Sequence, residues 1–153
     1  MREVENLDDT ARGDGGFGGS SEGQPLPHAI PDRAPDLMIA LPTADNLALL
    51  YRLSGDMNPL HADPKVALSA GFERPILHGL ATYGIVGRAL LRGLADNRPD
   101  RIKRMDARFS APVFPGETIE TAIWREGEGK AAFTARVVER DRLVLNNGYV
   151  EFQ

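Results

Sequence analysis

The sequence predicts an α+β domain in which an antiparallel sheet packs around one long helix. Residues from Gly79 to about Asn97 are apolar on nearly every side, which is typical of a buried helix. Beyond Pro99 the apolar residues recur with a period of two, which is typical of strands. Short turn-forming segments separate these strands, as they do in antiparallel hairpins. Wrapping the sheet around the helix buries the apolar surface of both.

The predicted strands follow the long helix along the chain. They are Arg104–Phe109, Ile119–Trp124, Phe133–Val138 and Leu143–Phe152. Residues 127–129 and 139–141 are predicted to form the hairpin turns between the last three.

Two shorter helices are predicted before the long one. The first runs from Thr43, a favourable N-cap residue, to about Leu53, and Gly55 ends it. The second begins at Asp63 with Pro64 in its first position, and it ends before Gly71.

The first 35 residues differ in composition from the rest of the chain. Glycine recurs between Gly13 and Gly23, and four prolines follow up to Pro35. This composition predicts an extended arm over residues 1–35 and one domain over residues 36–153. The segment Gly13–Gly18 matches Gly-x-Gly-x-x-Gly, but no predicted strand precedes it and no helix follows. A dinucleotide-binding interpretation therefore fails.

Composition excludes several classes of function. The net charge is −4 and no block of Lys or Arg stands out, so nucleic acid is not an expected partner. The chain has no cysteine, which excludes disulfides and cysteine-bound zinc. Its start lacks the apolar core of a secretory signal, and the most apolar stretch, Leu80–Leu91, is too short to cross a bilayer. We expect a cytoplasmic protein.

The segment Tyr51–His61 carries the densest set of reactive side chains. Asp56, Asn58 and His61 lie within six residues. Gly55 permits an unusual backbone angle, and Pro59 stiffens the chain. By itself Asp-x-Asn-Pro is also common turn and capping chemistry. The spacing of the histidines does not fit a zinc site, so no metal is expected.

The full string resembles the signature of a known family. Tyr-x-Leu-Ser-Gly-Asp-x-Asn-Pro-Leu-His is similar to the signature of the (R)-specific enoyl-CoA hydratases, also called hydratase 2 or MaoC-like dehydratases. The resemblance continues through 63–64, 71–72, 75–80, 107–109, 112–113 and 115–116. It implies a hot-dog fold, which agrees with the α+β prediction.

The resemblance also implies roles for individual residues. Asp56 and His61 resemble the catalytic pair, and Asn58 resembles its hydrogen-bonded support. The implied substrate contacts are Asp56, Met57, Asn58, Pro59, Leu60, His61, Gly79 and Phe109. In this interpretation, neutral His61 takes the proton of water as the water attacks the β-carbon, and Asp56 delivers a proton to the α-carbon. Both act on one face, so addition is syn and the product is (3R). The Gly79 N–H stabilises the thioester oxygen.

The chain matches only the linker and the C-terminal repeat of the eukaryotic-type enzyme, which is a double hot dog. We therefore expect a homodimer, or pairing with a second hot-dog chain. The substrate implied is an acyl-CoA, and no cofactor is expected beyond the coenzyme A of the substrate. The alternatives are a non-catalytic thioester-binding subunit that completes a partner's site and, third, a hot-dog thioesterase.

Overall fold

The structure is a computed structural model that describes residues 26–153, and five strands there form one antiparallel sheet. Their order across the sheet is β1-β3-β4-β5-β2. The strands are β1 Leu37–Pro42, β2 Ile102–Phe109, β3 Thr118–Arg125, β4 Lys130–Val137 and β5 Arg142–Phe152. β3, β4 and β5 pair in chain order through hairpins, as the sequence predicts, whereas β1 and β2 form the edges.

Three α-helices precede β2: α1 Leu47–Tyr51, α2 Pro64–Ser69 and α3 Gly79–Leu94. One face of α3 packs on the sheet, where Val86 and Leu90 are fully buried against apolar strand residues such as Ile123 and Phe133. This packing confirms the predicted α+β arrangement of a sheet around a central helix. Within residues 26–153, no helix combines the length and the apolar character needed to cross a membrane.

The region before the segment Tyr51–His61 differs from the prediction. Strand β1 was not predicted, because its six residues show too short an alternation to separate them from a loop. The predicted helix from Thr43 to Leu53 is shorter: α1 begins after Asn46, and a 3₁₀ turn continues it from Arg52 to Ser54. Thr43 does not cap it. Its buried hydroxyl donates to the Glu117 carbonyl and accepts from the Gly116 N–H, so a tertiary contact takes the place of the local one.

Helix α3 departs from the prediction at its end and on its outer face. It ends at Leu94 and not near Asn97, because Asp96 and Asn97 adopt left-handed backbone angles (φ 51° and 57°). Among the described residues its outer face is not buried, and Leu80 is 68% exposed.

The part of the arm that the structure describes, residues 26–35, lies along the sheet. The indole N–H of Trp124 donates to the Arg33 carbonyl at 2.7 Å, and the Asn147 amide donates to the His28 carbonyl at 2.8 Å. The Gly13–Gly18 motif lies outside the described residues. The domain boundary at residue 35 stays a prediction.

A buried carboxylate joins the segment before β3 to the turn after β4. Glu117 is 5% exposed and accepts hydrogen bonds from the Phe114 N–H at 2.8 Å and from the Arg140 guanidinium, with Nη2 at 2.9 Å. The guanidinium of Arg140 also lies over the Phe114 ring, 4.9 Å from its centre. Burial favours the protonated acid, but the hydrogen bonds from Arg140 and Phe114 outweigh it and hold the pKa of Glu117 below its usual value.

We expect Glu117→Gln to lower the free energy of unfolding by about 2 kcal/mol near neutral pH, because a charge-assisted hydrogen bond is lost. A lowered carboxyl pKa means that this stabilisation is complete above the ordinary glutamate pKa and disappears as the pH falls. The difference from wild type should therefore shrink between about pH 5 and pH 3. Urea unfolding over this range measures it, with Glu128→Gln in an exposed turn as the control. A pH-independent difference would contradict the assignment.

Candidate active site

The loop between α1 and α2 presents the predicted acid. Gly55 ends the 3₁₀ turn in a left-handed conformation (φ 120°) that favours glycine. The chain then reverses, and the carboxylate of Asp56 accepts the backbone N–H of Asn58 at 3.2 Å. The side-chain oxygen of Asn58 accepts the Leu60 N–H at 3.0 Å and caps the turn Pro59–His61. Asn58 thus touches the Asp56 carboxylate through its backbone, while its side chain shapes the turn.

His61 closes this turn with its side chain buried. Its Nδ1 lies 2.8 Å from the Ile76 carbonyl oxygen. Because a carbonyl only accepts, Nδ1 carries the proton in the neutral ring, and Nε2 keeps a free lone pair. The structure therefore fixes the tautomer that a general base requires.

The segment that holds His61 is itself fixed by a distant part of the chain. The Leu77 N–H donates to the Val113 carbonyl at 2.7 Å, which positions the preceding carbonyl of Ile76. This contact explains why two motifs far apart in sequence, 75–80 and 112–113, belong to one site. Helix α3 begins immediately afterwards, so the N–H of Gly79, its first residue, has no acceptor within the helix.

Phe109 lies beside Gly79. A Cβ placed on Gly79 would be 3.3 Å from the Phe109 ring, so the last residue of β2 meets the first residue of α3. The structure thereby brings two of the predicted substrate contacts together. Met57, the next residue after Asp56, is 58% exposed, and Phe109 is 50% exposed.

His78 is the residue whose place in the site the sequence did not reveal. It is 2% exposed, and its ring stacks on His61 with the ring centres 3.8 Å apart and the planes at 26°. Tyr51 packs against it at 4.7 Å. Burial, and to a smaller extent the neighbouring His61, lower the pKa of His78. The sequence signals were its place in the family-like stretch 75–80 and its position directly before the helix that starts at Gly79.

Asp56, His61 and His78 are also a group of possible metal ligands. A carboxylate oxygen of the first and one ring nitrogen from each histidine lie within 4.8 Å of one another. The two rings stack with their centres 3.8 Å apart and their planes at 26°. Zinc requires nitrogen ligands about 2.0–2.1 Å away that converge on it. The absence of a metal stays a prediction.

The site is open in the part of the chain that the structure describes. Asp56 and Asn58 are exposed. Two clefts in the described residues lie elsewhere: one of about 300 Å³ between α3 and β2 that includes Gly84 and Met105, and one of about 550 Å³ that includes Arg104. Neither is lined by residues 51–61. Within residues 26–153, neither cleft therefore encloses Asp56 and His61.

Comparison with known proteins agrees with this geometry. Residues 27–147 match the family described as "MaoC like domain". The chain is 51% identical over 146 residues to "3-hydroxyacyl-thioester dehydratase Y" of Mycobacterium tuberculosis, covering 92% of this chain and 50% of that protein. It is 45% identical over 139 residues to "Probable enoyl-CoA hydratase 2" of Dictyostelium discoideum, covering 90% and 47%. A crystal structure of a MaoC-like dehydratase from Phytophthora capsici superposes with a TM-score of 0.84 at 43% identity, covering 90% of this chain and 49% of that one.

The chain belongs to the MaoC-like family, and its fold is the hot-dog fold. It spans about half the length of the relatives named here.

Proposed function

We propose that this chain hydrates trans-2-enoyl-CoA to (3R)-3-hydroxyacyl-CoA, and catalyses the reverse dehydration, with Asp56 and His61 as the acid–base pair. One observation carries the proposal. The Asp56 carboxylate and a ring nitrogen of His61 lie within 4.8 Å, while the Ile76 carbonyl holds the imidazole in the tautomer of a base. The names of the relatives, hydratase and dehydratase of acyl thioesters, point to the same reaction.

In the hydration, Nε2 of His61 takes a proton from water as the water oxygen attacks the β-carbon. The α-carbon then receives a proton from Asp56, whose carboxyl must be protonated when substrate is bound; a dry site favours that form. Both groups belong to one short loop, so both additions occur on one face. Negative charge that develops on the thioester oxygen is stabilised by the Gly79 N–H at the start of α3. No cofactor is required beyond the coenzyme A of the substrate.

A second hot-dog unit completes the site in this proposal. Leu80 on α3 and Phe109 at the end of edge strand β2 are largely exposed, and both lie next to Gly79. A partner over this surface removes water from around Asp56 and supplies the missing wall. We propose a homodimer, with a separate hot-dog chain as the alternative. The cytoplasmic location follows only from the composition and stays a prediction.

The test is turnover of trans-2-enoyl-CoA esters of several chain lengths by the purified full chain. We expect loss of the conjugated double bond and a (3R) product. Sedimentation of the same sample gives the oligomeric state, expected to be a dimer. The enzyme proposal would be contradicted if the chain turned over no ester of any chain length, either alone or with co-expressed hot-dog proteins.

The same assay separates the two alternatives. A thioester-binding subunit binds acyl-CoA without changing it, whereas a thioesterase releases free coenzyme A thiol. The presence of Asp56, Asn58 and His61 together favours the hydratase, since a subunit that only binds has no need for all three.

A further inference from the structure

The proposed reaction gives His78 no role, but the contacts of its side chain indicate one. We propose that His78 is a positioning residue that, as a neutral imidazole, holds the base, the acid loop and the oxyanion donor in one arrangement. The inference rests on the proposed function, and it is argued from the neighbours of one buried ring.

The first contact is with the base. The His78 ring stacks on His61 with a centre-to-centre distance of 3.8 Å, and Tyr51 packs on it at 4.7 Å. The hydrogen bond from His61 to the Ile76 carbonyl fixes one atom of the catalytic imidazole, but it leaves rotation of the ring plane about that bond. A flat ring at stacking distance removes this freedom. The lone pair of His61 Nε2 is then held in a fixed direction.

The second contact is with the acid loop. Nε2 of His78 lies 3.3 Å from the backbone carbonyl oxygen of Asp56. Because this oxygen only accepts, His78 Nε2 carries the proton, and the hydrogen bond ties the acid's backbone to the start of α3. The sequence places His78 directly before Gly79. One side chain therefore links Asp56, His61 and Gly79.

The neutral state of the His78 ring follows from the surroundings of its other nitrogen, Nδ1. Nδ1 of His78 is buried and has no hydrogen-bond partner among the described residues. Protonation would place an unpartnered N–H in a buried position, next to His61 and Arg52 and with Asp56 as the nearby acid. Such a group is costly to bury without an acceptor. The lowered pKa of His78 agrees with a ring that stays neutral.

Two variants separate the two contacts. His78→Phe keeps a flat ring for stacking and removes the donor to the Asp56 carbonyl. His78→Gln keeps a donor at a similar distance from the backbone and removes the ring. We expect each to lower kcat about 10- to 100-fold with KM changed less than about twofold, because misplaced catalytic groups cost rate rather than substrate affinity. Circular dichroism and thermal melting establish that each variant is folded.

His28→Phe is the matched control. His28 also packs against an aromatic ring, that of Tyr149 at 4.7 Å and a tilt of 37°, but it lies on the arm and its side chain pairs with Glu126. We expect its kcat to be unchanged. Folded His78 variants with kcat within about twofold of wild type, or with a raised KM and an unchanged kcat, would overturn the proposal.

A spectroscopic measurement needs no turnover. The chain has three histidines, so ¹⁵N-histidine labelling gives three imidazoles that single-histidine variants assign. We expect His78 to be neutral with its proton on Nε2, and the neutral ring of His61 to carry its proton on Nδ1. A His78 protonated on Nδ1 would refute the proposal even in an active enzyme. If the wild-type chain hydrates no enoyl-CoA but His78 shows the expected tautomer, the proposed function fails and the positioning geometry stands.

Discussion

Asp56→Asn is expected to reduce hydration by about 10²–10⁴-fold, because asparagine has no proton to deliver to the α-carbon. Its amide has nearly the shape of the carboxyl, and its side-chain oxygen can still accept the Asn58 N–H that Asp56 accepts at 3.2 Å. The loop should therefore keep its conformation. Steady-state loss of the conjugated enoyl thioester measures the rate, and the melting temperature measures the fold.

His61→Ala is expected to cause a loss of the same order, since it removes the imidazole assigned as the base, and the free lone pair of His78 is on a buried Nδ1. The variant should also be less stable, because the buried ring bonds to the Ile76 carbonyl. The melting temperature measures this effect separately from the rate. The configuration of the product formed by any residual activity shows whether addition is still (3R)-specific. Near-normal turnover by either variant would show that its assigned role is wrong.

Two matched substitutions control for the change of residue type. Asp32→Asn removes an acid from the arm, and His28→Ala removes a histidine whose side chain contacts Glu126 and Tyr149. Both should leave kcat unaffected. Comparison of the wild type with Asp56→Asn also separates the hydratase from the thioester-binding subunit. A subunit that only binds would show no wild-type turnover and the same acyl-CoA affinity before and after Asp56→Asn.

Gly79→Pro is expected to lower kcat about 10²–10³-fold, because it removes the single N–H assigned to the thioester oxygen. The position tolerates proline for physical reasons. Gly79 is the first residue of α3, where proline is favourable, and the preceding His78 has φ −59° and ψ 138°, which is allowed before proline. The helix should therefore form as before while the donor is lost.

Gly79→Ala is the control for the added bulk. It keeps the N–H and places a Cβ 3.3 Å from the Phe109 ring, a contact that a slight shift of the ring relieves. We expect a much smaller loss than for Gly79→Pro, seen mainly in KM. Equal losses in the two variants would mean that crowding against Phe109, and not the donor, explains the effect.

Local patterns were sufficient for much of the fold. The period-two alternation around Ile119 and Phe133 and the turns between them predicted the β3–β5 meander, because hairpin pairing joins neighbours along the chain. The start of α3 at Gly79 and the capping of α2 by Asp63 were also local. Strand β1 was missed because its pairing with β3 is decided by a partner almost 80 residues away.

The sequence by itself determined the family and the order of β3, β4 and β5, and it predicted the acid–base residues, since these depend on residues that are adjacent or nearly adjacent along the chain. Only the tertiary structure decided that the Ile76 carbonyl sets the tautomer of His61, that His78 lies against it and that Phe109 meets Gly79. These contacts join segments 15 to 30 residues apart, and they exist because α3 packs on the sheet to which β2 belongs. The sequence also did not predict that the outer face of α3 is exposed. An apolar pattern shows that a residue is apolar, but it does not show what covers that residue.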